Sequence, residues 1–282
     1  MDLSPLPQDR IDALIDAVRH AAKAEILPRF RAMPPETVHA KTAPDDLVTE
    51  ADLRTEARLT KAIADILPDA KVLGEEAVSD NPAVMQNVAA PGLCVIIDPV
   101  DGTWNFASGI AAFGTILAVT RDGHTIFGLL YDPLLDDWIM ASAGGGAWYC
   151  RQGQPADRLQ TSAVEPRLED LTGYISLFLF RKDRQAKIAA SFPAFRRILA
   201  LRCSCHEYRT LASGRVDFNL NGMLMPWDHA AGALITTEAG GVVRMMDGRP
   251  YTPLIQDGYM MAANDEATWD AVHAHFADKI GM

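Results

Sequence analysis

Five acidic residues stand out for what they could do together: Asp52 in "DLVTEAD", Glu75 in "LGEE", Asp98 and Asp101 in "DPVDGT", and Asp228 in "PWDHAAG". Each falls at the end of an inferred helix or strand, where side chains can converge without disrupting a core. Carboxylates crowded into a partly dry place repel one another unless a cation lies between them. All-oxygen ligands suit a hard cation, Mg²⁺ or Mn²⁺, better than zinc. Three or four acids exceed what one such ion needs and suit two ions roughly 3.5–4 Å apart that share a bridging carboxylate. Pro99 stops the strand from simply continuing and frees the Val100 carbonyl as another oxygen ligand. Next to the acids, the Gly102 and Thr103 backbone N–H groups can point at an oxyanion, and the Thr103 hydroxyl can orient a water. Cations plus an N–H cradle are what phosphoryl transfer to water requires, since positioning and charge neutralisation dominate that chemistry. Taken singly, Asp-Gly-Thr is an ordinary turn and Asp228 an ordinary helix N-cap.

The elements that would position these residues are readable from periodicity. Ile11, Leu14, Ile15, Val18, Ala22 and Ile26 have helical spacing, with Asp9 as N-cap. Residues 31–46, with Pro34, Pro35 and Pro44, read as a connecting loop. A second helix is expected from Thr49 to Leu67, with Leu53, Leu59, Ile63 and Ile66 inward. "KVLGEEAV" reads as a strand stopping at Gly74, and residues 93–97 as a strand ending at Asp98. Residues 113–132 form a hairpin around Asp122-Gly123. "YISLFLF" is expected to be a buried strand, Glu207 to Ser213 a helix and "RVDFNL" a strand. A helix from Asp228 to about Ala239 ends at Gly240 and Gly241. Two further strands follow, and Asp265 caps a last helix. The blocks imply one layered domain over 1–282 with two lobes, about 1–150 carrying most metal ligands and 151–282 carrying substrate selection.

Composition narrows the function classes. Lys plus Arg is 26 against 37 Asp plus Glu, a formal charge of −11. An acidic surface argues against nucleic acid or anionic membrane as the main partner. No apolar run is long enough to span a bilayer, and no leader is visible, so a cytoplasmic protein is expected. The four cysteines fit no disulfide framework, and "CSCH" at 203–206 lacks a second ligand pair for zinc.

"DPVDGTWNF" resembles the first signature of the inositol monophosphatase-like, lithium-sensitive phosphatases, and "WDHAAGALITTEAGG" resembles their second. "DLVTEAD", "LGEE" and the upstream Lys41 stand in the family's order and spacing, so the resemblance runs from about Lys41 to Ala263. It implies an α+β fold, the layered αβαβα sandwich of the inositol monophosphatase/fructose-1,6-bisphosphatase type, and a homodimer. It implies two to three Mg²⁺ ions: a first on Glu75, Asp98 and the Val100 carbonyl, a second on Asp98, Asp101 and Asp228, and a weaker third near Glu75. Glu75 and Thr103 would activate the attacking water, with Asp52 supporting Thr103. Gly102, Thr103, Asp101, Asp228 and the residue at 221 would face the phosphorylated metabolite.

The substrate-selecting parts depart from the family pattern. Where inositol-phosphate enzymes carry a small Gly-Ser/Thr-Ala-Ala stretch, this chain has "RCSCHEYR", Arg202 to Arg209. Where they carry a glutamate, it has Asn221, and Trp104 replaces a small residue. A different alcohol under the phosphate is expected, with Arg202, His206, Glu207 and Arg209 as candidates to read it. Histidinol phosphate, a sugar bisphosphate or a nucleotide 3′-phosphate are alternative substrates. A different class of function is a binding protein associated with the transcription machinery. The intact acidic set favours an enzyme.

Overall fold

Along residues 93–101 successive side chains point to opposite faces of a sheet, and nearly all of them are buried, so layers must cover both faces. The computed structural model of the chain describes residues 4–32, 38–41, 47–163 and 165–281. Helix α1 (Gln8–Ala21) runs into a π-helical turn, Ala22–Ile26. A short antiparallel pair, β1 (Val38–Ala40) and β2 (Leu47–Thr49), leads into α2 (Glu50–Ile66). Next come β3 (Lys71–Gly74), α3 (Glu75–Asp80), β4 (Leu93–Asp101) and α4 (Thr103–Ala107). An antiparallel run follows: β5 (Gly114–Arg121), β6 (His124–Asp132), β7 (Asp137–Ser142), β8 (Ala147–Arg151) and β9 (Asp157–Leu159). Strands β3 to β9 make a seven-stranded sheet in chain order.

The remaining chain comprises β10 (Thr172–Tyr174), α5 (Lys182–Ala190), β11 (Arg197–Leu199), α6 (Ser204–Ala212) and β12 (Phe218–Asn221). It ends with α7 (Pro226–Glu238), β13 (Val242–Met245), β14 (Met260–Ala263) and α8 (Glu266–Ile280). Its five strands form a second sheet in the order β11-β10-β12-β14-β13.

Alternation along single strands shows how the layers stack. Val95 and Ile97 pack with Leu14 of α1 and Ile63 of α2. Their neighbours Cys94 and Ile96 face the other way, onto Tyr208 of α6 and Ala231 of α7. That middle helical layer also meets Met260 and Ala262 of β14, while Met261 and Ala263 turn outward onto Ile188 of α5 and Phe276 of α8. The result is the αβαβα sandwich, an α+β fold. Helix α7 lies between two sheets and is built of small residues for that reason. A Cβ on Gly128 of β6 would sit 2.9 Å from the Ala231 backbone.

Several boundaries differ from expectation. Pro7, not Asp9, precedes α1, and Asp9 sits in its first turn. Part of the segment expected as loop is strand β1; the remainder of that reading at 33–37 and 42–46 lies outside the described residues. Leu53 is 51% exposed, while Asp52, Thr55 and Glu56 take the inward positions. The inner face of α2 turns polar because its N-terminal end abuts the acidic cleft. "YISLFLF" is strand only through Tyr174; a 3₁₀ turn at Leu177–Leu179 then turns Phe178 outward. Helix α6 begins three residues earlier than expected, at Ser204, and β12 begins only at Phe218. Asp265 does cap α8, accepting from Thr268 N–H.

Candidate active site

Strand β4 does not stop at Pro99. It pairs with β5 from Leu93 opposite Arg121 to Asp98 opposite Ile116, then slips so that Asp101 lies opposite Gly114. The slip inserts one extra residue, a bulge. Without it, residues three apart would point to opposite faces; with it, Asp98 and Asp101 come to the same side. Proline suits the bulge because it brings no N–H to leave unpaired. The freed carbonyls find side chains instead: Pro99 O accepts from Thr115 Oγ1 at 2.9 Å, and Val100 O from Thr103 Oγ1 at 3.0 Å.

Asp228 completes the group from the first turn of α7, whose first residue is Pro226, so it is not the N-cap. One carboxylate oxygen from each of Asp98, Asp101 and Asp228 lies within 4.8 Å of the others. Asp98 is buried, and its Oδ1 has no hydrogen-bond partner among the described residues. Burial first, then the charges of Glu75, Asp101 and Asp228, push its carboxyl well above the usual range. Burial first, then the charges of Asp101, Glu75 and Glu207, do so for Asp228. An orphaned carboxylate oxygen in a cluster of hard oxygen donors fits a divalent cation.

Asp101 differs because it is already engaged. Its Oδ1 accepts from Ser204 N–H at 3.1 Å, and its Oδ2 accepts from Cys205 N–H and the Cys203 thiol. It thus caps α6 from another strand, and the helix N-terminus stabilises its charge. Burial raises its pKa, but the Cys205, Cys203 and Ser204 donors hold it at about 6.

Asp52 and Thr103 form a second unit. Asp52 is fully buried; its Oδ2 closes a capping box with Thr49, and its Oδ1 stands 3.1 Å from Thr103 Oγ1. Burial lifts its pKa to about 7 despite the Thr49 hydrogen bond. The single Thr103 proton serves either Asp52 or Val100 O, not both. Between the two groups, Gly102 adopts φ +87°, and a Cβ there would meet Ala112 O at 2.9 Å. Only glycine suits this corner, which opens α4.

Glu75, at the start of α3, faces the same cleft but stands outside the group of three. Lys41 Nζ pairs with it and with Glu76, both at 2.8 Å. Burial lowers the lysine pKa, but the two carboxylates raise it above the ordinary value. Glu76 is pushed up to about 8 by burial and by Glu75. Glu56 lies beneath, accepting the Glu76 and Ala77 N–H groups. The sequence presents Glu76 beside Glu75 without assigning it to the site, and Glu56 carries no mark beyond its helical spacing from Asp52.

A cavity of 660 Å³ lies over Asp98, Asp101, Glu75 and Lys41, and a smaller one adjoins it at Trp104, Glu207 and Asn221. The four candidates from the "RCSCHEYR" segment separate here. Arg202 lines both cavities, its guanidinium carbon 4.6 Å from the Trp104 ring centroid and 4.8 Å from that of Phe178. Glu207 lines the smaller cavity but is buried, accepting from Leu201 N–H at 3.0 Å. His206 turns to Phe113 O, and Arg209 to Leu130 O and Asp137, so neither faces the cleft. Asn221 is buried on the cavity wall with its Nδ2 unpartnered among the described residues. His229, also on that wall, meets Met223 O through Nε2, which must donate; Nδ1 therefore accepts from Tyr208. Burial lowers its pKa to about 4, so it is neutral.

Comparison with known proteins is consistent in direction. The family described as "Inositol monophosphatase family" matches residues 7–280. The inositol-1-monophosphatase of Bacillus subtilis is 29% identical over 231 residues, covering 81% of this chain and 83% of its own. A Vibrio cholerae protein named Nus factor SuhB is 29% identical over 236 residues, covering 78% and 79%. The structure of Thermotoga maritima IMPase TM1415 superposes with a TM-score of 0.79 at 26% identity, over 97% of this chain and 100% of that one.

Proposed function

The chain belongs to the inositol monophosphatase family and is a phosphoric monoester hydrolase, and from that premise we propose that it cleaves a small phosphate monoester by Mg²⁺-dependent attack of water. The observation that carries the reading is the buried, unpartnered Asp98 Oδ1 inside a group of three converging carboxylates. Asp98, Asp101 and Asp228 would hold one ion; Asp98, Glu75 and the Val100 carbonyl would hold another, with a weaker third near Glu75. When bound, the ions supply charge neutralisation of phosphoryl oxygens and acidify a coordinated water; Mn²⁺ would serve the same donor set.

The protein's own groups do the rest. Thr103 Oγ1 accepts a proton from the attacking water as it passes its own toward Asp52 Oδ1, 3.1 Å away. Glu75 orients the same water from the facing side of the cleft. The Gly102 and Thr103 N–H groups at the start of α4 hold phosphate oxygens, and Gly102 allows that approach. The alcohol lies toward Asn221. An amide there donates as well as accepts, so the hydroxyl pattern it selects differs from that selected by a carboxylate.

The test is a phosphate-release panel over phosphorylated metabolites, with and without Mg²⁺. Mg²⁺-dependent release is expected, with inositol 1-phosphate not the best substrate. If inositol 1-phosphate gives the highest efficiency and Asn221→Glu changes nothing, the substrate reading is wrong. Absence of release from every ester would sink the activity itself. A second reading rests on the Vibrio cholerae relative's name: this chain would join the transcription machinery. A pull-down from cell extract, run with and without Mg²⁺ beside the panel, separates the two readings.

A further inference from the structure

Residues 222–225 link β12 to α7, and the Met223 carbonyl fixes their path by accepting from His229 Nε2 at 2.8 Å. Leu224 enters the core, 1% exposed, while its neighbours Met223 and Met225 turn to the cleft. Met223 stays 43% exposed there and Phe178 48%. Val78 of α3, Met85 of the 3₁₀ turn Pro82–Ala89 and Trp227 at the start of α7 line the same 660 Å³ cavity as the acids. The smaller adjoining cavity is walled instead by Ser176, Ser204, Glu207 and Asn221. The cleft therefore has a polar arm and an apolar arm, both opening from Asp101, Gly102 and Thr103. Accessible apolar side chains gathered in one concavity mark a ligand-binding wall. Methionine, unbranched and polarisable, adapts to apolar groups of irregular shape. A phosphate seated on the acids must project its alcohol into these arms. A polyol hydroxyl placed against Met85, Met225 or Trp227 would lose water and gain no comparable partner.

We propose that the preferred substrate is a phosphate monoester whose alcohol carries an apolar substituent, seated in the arm formed by Val78, Met85, Met225 and Trp227 while the phosphate lies on the acids. This rests on the phosphatase reading and deepens it, naming the class of alcohol for the same cleft. Met85 and Met225 are its specificity-determining residues, and Asn221 reads the polar remainder of the alcohol.

The test is a homologous series, ethyl, butyl and hexyl phosphate, with benzyl phosphate as an aromatic member. Affinities are measured calorimetrically with Mg²⁺ on Thr103→Val, so that binding is read independently of turnover. Wild-type phosphate release from p-nitrophenyl phosphate tests the activity separately. Each buried methylene is worth about fourfold in affinity, so butyl phosphate should bind about ten times tighter than ethyl phosphate or better. The heat-capacity change of binding should grow more negative along the series. In the same background, Met85→Gln with Met225→Gln keeps chain length but adds amides. It should cut the ethyl-to-butyl gain to about threefold or less and leave ethyl phosphate affinity within about threefold. Met225→Leu, still apolar, should keep the gain. Tighter binding of hexyl or of benzyl phosphate supports the proposal equally and identifies a flexible or a flat group. Affinities that do not rise from ethyl to hexyl or benzyl phosphate overturn it, whether or not p-nitrophenyl phosphate is hydrolysed. So does a full rise that survives in the folded double glutamine variant; if that variant does not fold, the series alone decides.

Discussion

Replacing Asp98 by asparagine removes one charge and almost no volume, so its effects can be worked out in advance. Its carboxyl faces Asp101 and Asp228 with oxygens within 4.8 Å. At an effective dielectric constant of about 20, each pair of full charges at that distance repels by about 3.5 kcal/mol. Without metal, Asp98 avoids this cost by keeping its proton, its pKa being raised by burial and then by its acidic neighbours. A folded pKa above the unfolded value means that the native state binds more protons, so stability falls as pH rises. Asparagine carries no such penalty, and its amide can donate to a neighbouring carboxylate. Metal-free Asp98→Asn should therefore melt close to wild type at low pH and increasingly above it as pH rises. With Mg²⁺ the order reverses. Each proposed ion loses a charged carboxylate partner, so its affinity should fall by about a hundredfold or more. Phosphate release should fall at least a hundredfold while the fold persists. Melting in EDTA across pH, calorimetric Mg²⁺ titration and phosphate release provide the readouts. A variant keeping more than a tenth of the wild-type rate at saturating Mg²⁺ would remove Asp98 from its bridging place. One melting well below wild type in EDTA at every pH would make it a structural residue.

Thr103→Val should lower kcat by about a hundredfold and leave KM within about threefold, because it removes a proton path and no ligand; unchanged kcat with a raised KM would end the relay. Li⁺ at millimolar concentration should inhibit by competing near Asp101 and Asp228, an expectation from the family; full activity at high Li⁺ and limiting Mg²⁺ would count against that metal arrangement. Glu207 has a carboxyl raised by burial from 4.5 to about 8, so folding takes up a proton and stability falls with rising pH through that window. Glu207→Gln should flatten the dependence by an amount on the order of several kcal/mol, read by urea denaturation at pH 5 to 9; an unchanged slope would show that the carboxyl does not titrate as placed.

The acidic constellation was legible because its members sit at element ends beside glycines and prolines, which leave strong local marks. Asp98, Asp101 and Asp228 do come together, and Asp52 does reach Thr103. The means by which Asp98 and Asp101 share a side was hidden, since a bulge depends on the partner strand's register and not on its own sequence. Orientation within the "RCSCHEYR" segment was hidden for a similar reason. All four candidates are polar, and only the packing of α6 against β6 sends Arg209 to Leu130 O while Arg202 stays on the cleft. "YISLFLF" misled because apolar residues serve equally as strand core and as a cleft wall. Phe178 takes the second role.

Asp101 belongs to two structures at once: it faces the acidic cleft, and it anchors α6 through Cys203, Ser204 and Cys205. The segment just before that anchor carries Arg202. The acids proposed to hold the metal ions and the cleft wall that carries Arg202 thus share one carboxylate as a joint. A lineage that shifts residues 201–205 to recognise a new compound also moves an acid of the cleft, so specificity here drifts only along paths that leave Asp101 in register. The side chains at 104, 178 and 221 are free of that joint, and it is there that new preferences can accumulate without disturbing the acids.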